Sequence, residues 1–229
     1  MAQTPGKYNR IHLSPFDNLA QEYDAWFDNE GRLIFSSELQ AFRELLPFLP
    51  KPWLEIGVGS GRFAQALGIE TGIDPSARLV EMAKKRGINT LLGEGEQEFF
   101  DEESLGTVFL IVTLCFLDSP LDVLKEANRI LMRGGKTVLG LVLEESPWGR
   151  FYQLKKAEGH RFYKYATFYR YDEVIRLMAQ AGFVNERTVS TLFQSPGEVK
   201  DVEEAREGYF PDAGFTIIVA GKGKAAAKL

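Results

Sequence analysis

Cysteine is almost missing from this 229-residue chain: Cys115 stands alone, which excludes an intrachain disulfide framework and any cysteine-rich metal site. Histidine is nearly as scarce, and His12 and His160 are too far apart in sequence for a local zinc motif. No metal is expected. No run of about 18 apolar residues is present to cross a bilayer; the longest, Val108 to Leu117, has the length of a strand and is interrupted by Thr113. The N-terminus shows no basic and then apolar leader, so a cytoplasmic location is expected. Positive charge is not in excess either, since 27 Lys and Arg face 32 Asp and Glu for a net charge of −5. Such a surface repels polyphosphate, so neither a nucleic-acid nor a membrane partner is expected, and a small molecule is.

What the chain does have is a concentrated glycine signal. Trp53-Leu-Glu-Ile is a short apolar run carrying Glu55, followed by Gly57, Gly59 and Gly61 in alternation, and such a junction lets backbone approach a ligand closely. A second short strand, Glu70-Thr-Gly-Ile-Asp74, also ends in an acid, placed where doubly wound sheets hold a ribose by both hydroxyls. The pair points to an adenosine-containing ligand. A nicotinamide dinucleotide is the weaker alternative, because its G-x-G-x-x-G fingerprint is missing and Glu55 would repel a pyrophosphate. A cationic amino-acid moiety would be attracted to the same carboxylate.

Around this signal, strand-like and helix-like segments alternate with short turns, which predicts a parallel sheet with helices on both faces in one domain spanning 1–229. Residues 16–46 form a helical cap, 51–143 the ligand-binding core, 144–170 an insertion, and 171–220 a closing helix and strand pair. The helix expected from Ser76 has Pro75 and an Asp74 or Ser76 cap, and the next starts at Ser119-Pro120. The fourth strand, Thr107 to Leu114, is apolar enough to be central. Residues 1–15 and the basic tail from Gly221 read as poorly ordered ends.

Four landmarks in order, Leu54 to Gly61, Gly72 to Ser76, Gly93-Glu-Gly-Glu96 and Arg129 to Gly135, resemble the class I S-adenosylmethionine-dependent methyltransferases, small-molecule (type 11-like) branch. The resemblance implies a Rossmann-like, doubly wound, seven-stranded mixed sheet with its last strand antiparallel. It implies S-adenosyl-L-methionine as cofactor and S-adenosyl-L-homocysteine as product. It places Glu55 and the glycines at the methionine ammonium, Asp74 at the ribose hydroxyls, and Glu94 with Gly95 at the adenine; Ile56, Pro75, Glu96 and Leu114 complete the cofactor set. Tyr23 lies on an aromatic stripe, Phe16 to Phe27, that packs on the core or covers the cofactor as a lid. Two departures stand out. Leu105-Gly106 replaces the family's apolar-Asp pair, and Cys115-Phe116 replaces a histidine or tryptophan pair after the fourth strand.

The aromatic insertion supplies the rest of the site. Trp26, Phe27, Phe116, Trp148, Tyr152 and His160 are the candidate acceptor-binding residues, either as the wall of a pocket for a cationic or ring-bearing acceptor or as a satellite core. His160 and Tyr23 are the candidate catalytic groups, since methyl transfer needs mainly alignment and at most a mild base. The expected activity is methyl transfer to a small molecule, with nitrogen ahead of oxygen, by a monomer or homodimer. A non-catalytic cofactor-binding protein of the same fold is the rival.

Overall fold

A computed structural model describes residues 16–223; residues 1–15, with His12, and 224–229 of the predicted tail lie outside the described residues. A 3₁₀ turn, Asp17–Leu19, leads into α1 (Ala20–Trp26) and α2 (Arg32–Leu45). Then strands and helices alternate: β1 (Trp53–Ile56), α3 (Arg62–Leu67), β2 (Thr71–Asp74), α4 (Ala77–Lys85), β3 (Asn89–Leu92), β4 (Leu105–Ile111), α5 (Pro120–Ile130) and β5 (Leu131–Leu141). The C-terminal part holds α6 (Pro147–Ala157), α7 (Tyr171–Gln180), β6 (Phe183–Thr191), β7 (Arg206–Glu207) and β8 (Phe215–Lys222).

The sheet order is β3-β2-β1-β4-β5-β8-β6-β7, with β1 to β5 parallel and β8 running antiparallel between β5 and β6. The expectation of seven strands is corrected to eight. The extra strand is the two-residue β7, which pairs antiparallel with Val189 and Ser190 at the edge; two residues carry no periodicity that a sequence could reveal. The segment expected to be a basic tail also starts later, because β8 continues to Lys222.

Strand β4 explains the core. All seven of its residues are buried, and the pleat sends Phe109 and Ile111 to the face covered by α2 and α3, and Val108 and Leu110 to the face covered by α5 and α7. Helix α4 starts where Ser76 Oγ accepts the Leu79 N–H, so the serine rather than Asp74 is its cap. Helix α5 has Pro120 in its first turn, but the Ser119 side chain makes no capping bond. The departure at Gly106 has a steric cause, since a Cβ there would run into the backbone carbonyls of Pro50 and Lys51. The strand order reverses between β1 and β4, and in open α/β sheets the crevice at that reversal is where ligands bind.

Candidate functional site

The crevice is built by the glycine loop after β1. Gly57 N and Val58 N both donate to the Ile73 carbonyl, at 2.8 and 3.0 Å, so the loop is stitched to β2. Gly59 N donates to Asp74 Oδ2 and Ser76 N to Asp74 Oδ1, each at 2.8 Å. Asp74 therefore ties the loop to the start of α4. At Gly57, with φ of 74°, a Cβ would overlap the Thr113 side chain, so only glycine lets the loop pass beneath the end of β4.

Two buried acids meet here, and among the described residues neither forms an ion pair. Glu55 is 1% exposed, and its Oε2 has no hydrogen-bond partner among the described residues. Burial first and the charge of Asp74 second push its pKa well above the ordinary carboxylate value. Asp74 is raised to about 6 by burial, against the lowering effect of its two N–H partners. An orphaned carboxylate oxygen beside a second acid is costly unless a cation is supplied. The adjoining cavity, lined by Tyr23, Glu55, Gly57 and Ser60, measures about 10 Å³, room for about one water molecule.

Helix α1 lies over this loop and is held there by charge. Asp24 accepts from Ser60 Oγ (2.6 Å), Arg62 Nε (2.8 Å) and Arg86 Nη2 (2.8 Å), while Arg86 Nη1 donates to the Ser60 carbonyl at 2.8 Å and Arg62 also reaches Asp28. Burial raises the Asp24 pKa, yet the hydrogen bonds from Arg62, Ser60 and Arg86 outweigh it and hold the group at about 2. The clamp sets the Tyr23 ring against Gly59, with its nearest atom 3.6 Å from where a Cβ would stand. Burial, then Asp74 and Glu55, push the Tyr23 phenol upward, so it remains a neutral donor.

Beyond Tyr23 opens a cavity of about 710 Å³, within the range of small-molecule sites. Its floor is the carboxyl end of β4 and β5, and its walls are α1, α2, α6 and the segment between α6 and α7. Phe16 closes the roof, edge-on to Phe116 at 5.1 Å and stacked on Phe162 at 6.0 Å. The ion pair of Arg161 with Glu22, at 2.7 Å, ties the same two segments together. At the floor, Val112 has a φ of 53°, a conformation that costs a β-branched residue about 1–3 kcal/mol and that tends to cluster at functional sites.

The family described as the methyltransferase domain matches residues 54–139, from β1 into β5. A crystal structure from Thermotoga maritima, described as a "SAM-dependent methyltransferase, possible histamine N-methyltransferase", is 41% identical and has a TM-score of 0.84. It covers 91% of this chain and 98% of its own. The chain belongs to the class I S-adenosylmethionine-dependent methyltransferases. An uncharacterized protein of Methanocaldococcus jannaschii is 38% identical over 92% of this chain and its own full length. Another from Mycobacterium tuberculosis is 39% identical over 88% of this chain and 71% of its own.

The expected cofactor residues of this methyltransferase fall at the crevice with different degrees of access. Glu55, Ile56, Gly57, Gly59 and Gly61 line the first turn beside Asp74, and Gly95 sits so close to Ile56 that a Cβ would strike its side chain. Glu94 is half-buried beside it. Pro75 and Glu96 are exposed, and the Leu114 side chain is wholly buried in the core beneath. Of the expected acceptor residues, Trp26, Phe27, Phe116, Trp148, Tyr152 and His160 all line the larger cavity. His160 stacks on Tyr163 at 4.6 Å, and its Nδ1 accepts the Phe162 N–H at 3.4 Å. In that arrangement the proton of a neutral imidazole sits on Nε2, which makes that nitrogen a donor.

Several groups around the crevice and the larger cavity carry little or no signal in the sequence. Residues 144–170 contain α6, whose Ser146 Oγ accepts the Gly149 N–H at 2.8 Å ahead of Pro147; the Ser-Pro pair repeats the signal used at Ser119-Pro120 and marks this helix equally well. Asp24, Arg62 and Arg86 carry no local signal of their clamp. Glu38 of α2, 5% exposed, also lines the cavity, and an acid within an amphipathic helix reads from sequence as a solvated residue.

Proposed function

We propose that this methyltransferase methylates a small aromatic amine, with nitrogen as the acceptor atom ahead of oxygen. The observation that carries the reading is the cavity of about 710 Å³ against the glycine loop, walled by Trp26, Trp148, Tyr152 and Tyr163 and bearing the acids Glu22, Glu30 and Glu38. Aromatic faces and carboxylates both favour a cationic guest that carries a ring. The Thermotoga maritima structure's description as a possible histamine N-methyltransferase agrees with that class.

The residues of the crevice fit the cofactor. Bound there, S-adenosylmethionine supplies a methyl group on a cationic sulfur. The orphaned Glu55 Oε2 is the group for its ammonium, Asp74 for its ribose hydroxyls, and Glu94 with Gly95 for its adenine. Because Tyr23 rests on Gly59 and leaves room for about one water beside Glu55, α1 acts as a lid that swings aside for entry and then excludes water. The acceptor's nitrogen is presented from the aromatic cavity, and proximity does most of the work.

The test is mass-spectrometric detection of methylated product from the full-length protein with S-adenosylmethionine and a panel of arylalkylamines, phenols and carboxylates. Transfer to amines is expected. Transfer confined to phenols or carboxylates would overturn the acceptor class, and cofactor binding without transfer to any panel member would favour a cofactor-binding protein without this chemistry.

A further inference from the structure

Glu38 is an acid whose position the cofactor site leaves unexplained. It occupies the middle of α2, between Ser37 and Leu39 and one turn before Phe42, all buried. The residue is 5% exposed, and among the described residues no hydrogen bond or ion pair reaches its carboxyl. The other buried acids have accounts. Asp24 holds two arginines and a serine, Asp74 two backbone N–H groups, and Glu126 bonds Arg129 at 2.7 Å. Glu55 is assigned above to the cofactor's ammonium. Glu38 alone among them lines the larger cavity, and a carboxyl left without a partner against aromatic walls is costly in either protonation state.

Its surroundings choose the kind of guest. The phenols of Tyr23, Tyr152 and Tyr163 lie within electrostatic reach of Glu38 across the cavity, and burial keeps each protonated, as it does the Cys115 thiol. Among the described residues Lys155 is the sole lysine or arginine on the lining; its Nζ stands 5.6 Å over the Phe151 ring and 3.5 Å from Glu158. Once Glu38 ionises, the cavity therefore holds one buried negative charge, with phenol donors and ring faces around it.

We propose that Glu38 binds the acceptor by its ammonium group and takes the proton that has to leave the nitrogen. An N–H bond of the ammonium breaks, an O–H bond forms on the Glu38 carboxyl, and the amine keeps the lone pair with which it attacks. The carboxyl gives the proton to solvent when the cavity opens. The inference rests on the amine reading above, and it makes Glu38 rather than His160 the proton acceptor. Burial alone raises the Glu38 carboxyl to about 8, in the range suited to taking a proton near neutrality.

The experiment is isothermal titration of the full-length protein, saturated with S-adenosylhomocysteine, with histamine, 2-phenylethylamine and the uncharged 2-phenylethanol. Glu38→Gln keeps the side-chain shape and removes the charge. It is expected to weaken both amines at least tenfold, to leave the alcohol within about twofold, and to leave the affinity for S-adenosylhomocysteine unchanged. Amine binding to Glu38→Gln as tight as to the unaltered protein would overturn the role of Glu38 while leaving the amine reading intact. An unaltered protein that binds the alcohol but neither amine would overturn the amine reading and the proposal with it.

A second measurement needs no folded Glu38 variant. Titration in two buffers of different ionisation enthalpy should show proton release on amine binding by the unaltered protein below about pH 8, and none for the alcohol. Among the described residues, the other titratable groups lining the cavity with Glu38 are Glu22, Tyr23, Glu30, Cys115, Tyr152, Lys155, His160, Tyr163 and Tyr169. Because His160 lines the same cavity, His160→Gln is titrated alongside. Release that persists in His160→Gln supports Glu38, and release abolished by that change assigns the proton to His160 and overturns the proposal.

Discussion

Replacing Glu38 by glutamine should make the protein more stable, and by an amount that depends on pH. The carboxyl titrates at about 8 in the folded protein, against an ordinary 4.5, with burial the sole cause. Between those values the folded chain holds a proton that the unfolded chain has released, so stability falls as pH rises through the window and levels off above it. At about 1.4 kcal/mol per pH unit, the loss reaches about 3 kcal/mol at neutrality and about 5 kcal/mol above pH 8. Glutamine removes this dependence. It offers a buried amide in place of a buried neutral acid, so the variant and the unaltered protein should be equally stable near pH 4.5 and diverge steadily above it. A difference of about 3 kcal/mol corresponds to about 6–12 °C in a chain of this size. Urea unfolding followed by circular dichroism at pH 5, 7 and 8 measures the divergence. Other buried acids, Glu55 and Asp74 among them, are common to both proteins and cancel. A stability difference that stays constant from pH 5 to pH 8 would refute the reasoning, because it would mean that Glu38 ionises in the cavity as it does in water.

Other outcomes follow from the crevice and its cap. Asp74→Ala removes the partner proposed for the ribose and unties Gly59 from β2, so affinity for S-adenosylhomocysteine should drop by about 1.5–3 kcal/mol, read by titration; an unchanged affinity would remove Asp74 from the site. Asp24→Asn weakens a clamp of Ser60, Arg62 and Arg86, and if α1 is the lid, the cofactor should leave at least about tenfold faster in stopped-flow measurements, since one charged hydrogen bond is worth about 1.5–3 kcal/mol. Glu55, held well above the ordinary carboxylate value by burial and Asp74, has to ionise to meet an ammonium. Cofactor binding should therefore release a proton and tighten as pH rises, and titration in paired buffers that shows no release would disprove the assignment. Gly106→Ala forces a methyl into the Pro50 and Lys51 carbonyls and should lower the unfolding midpoint without changing the cofactor affinity of the folded protein.

The amino-acid sequence by itself determined the parts of this methyltransferase that depend on neighbours along the chain. Glu55 and the three glycines mark the end of β1, Asp74 marks the end of β2, and Ser76 caps α4, because turn dihedrals, strand ends and helix caps are set within a few residues. The apolar run of β4 announced a central strand for the same reason. The sequence also singled out the aromatic residues of 144–170, several of which line the larger cavity, without revealing the helix that organises them. Tertiary structure decided what depends on distant partners. Asp24 meets Ser60, Arg62 and Arg86 across separations of 36 to 62 residues, and no local pattern encodes such a meeting. The eighth strand exists only as an edge pairing with β6. Whether the acid at position 38 faced water or a cavity was settled by the packing of α2 against the sheet, which buries the carboxylate between a hydrophobic core and a wall of phenols. Helical periodicity fixes which residues share a face, and only the neighbours that cover that face decide what its charges are for.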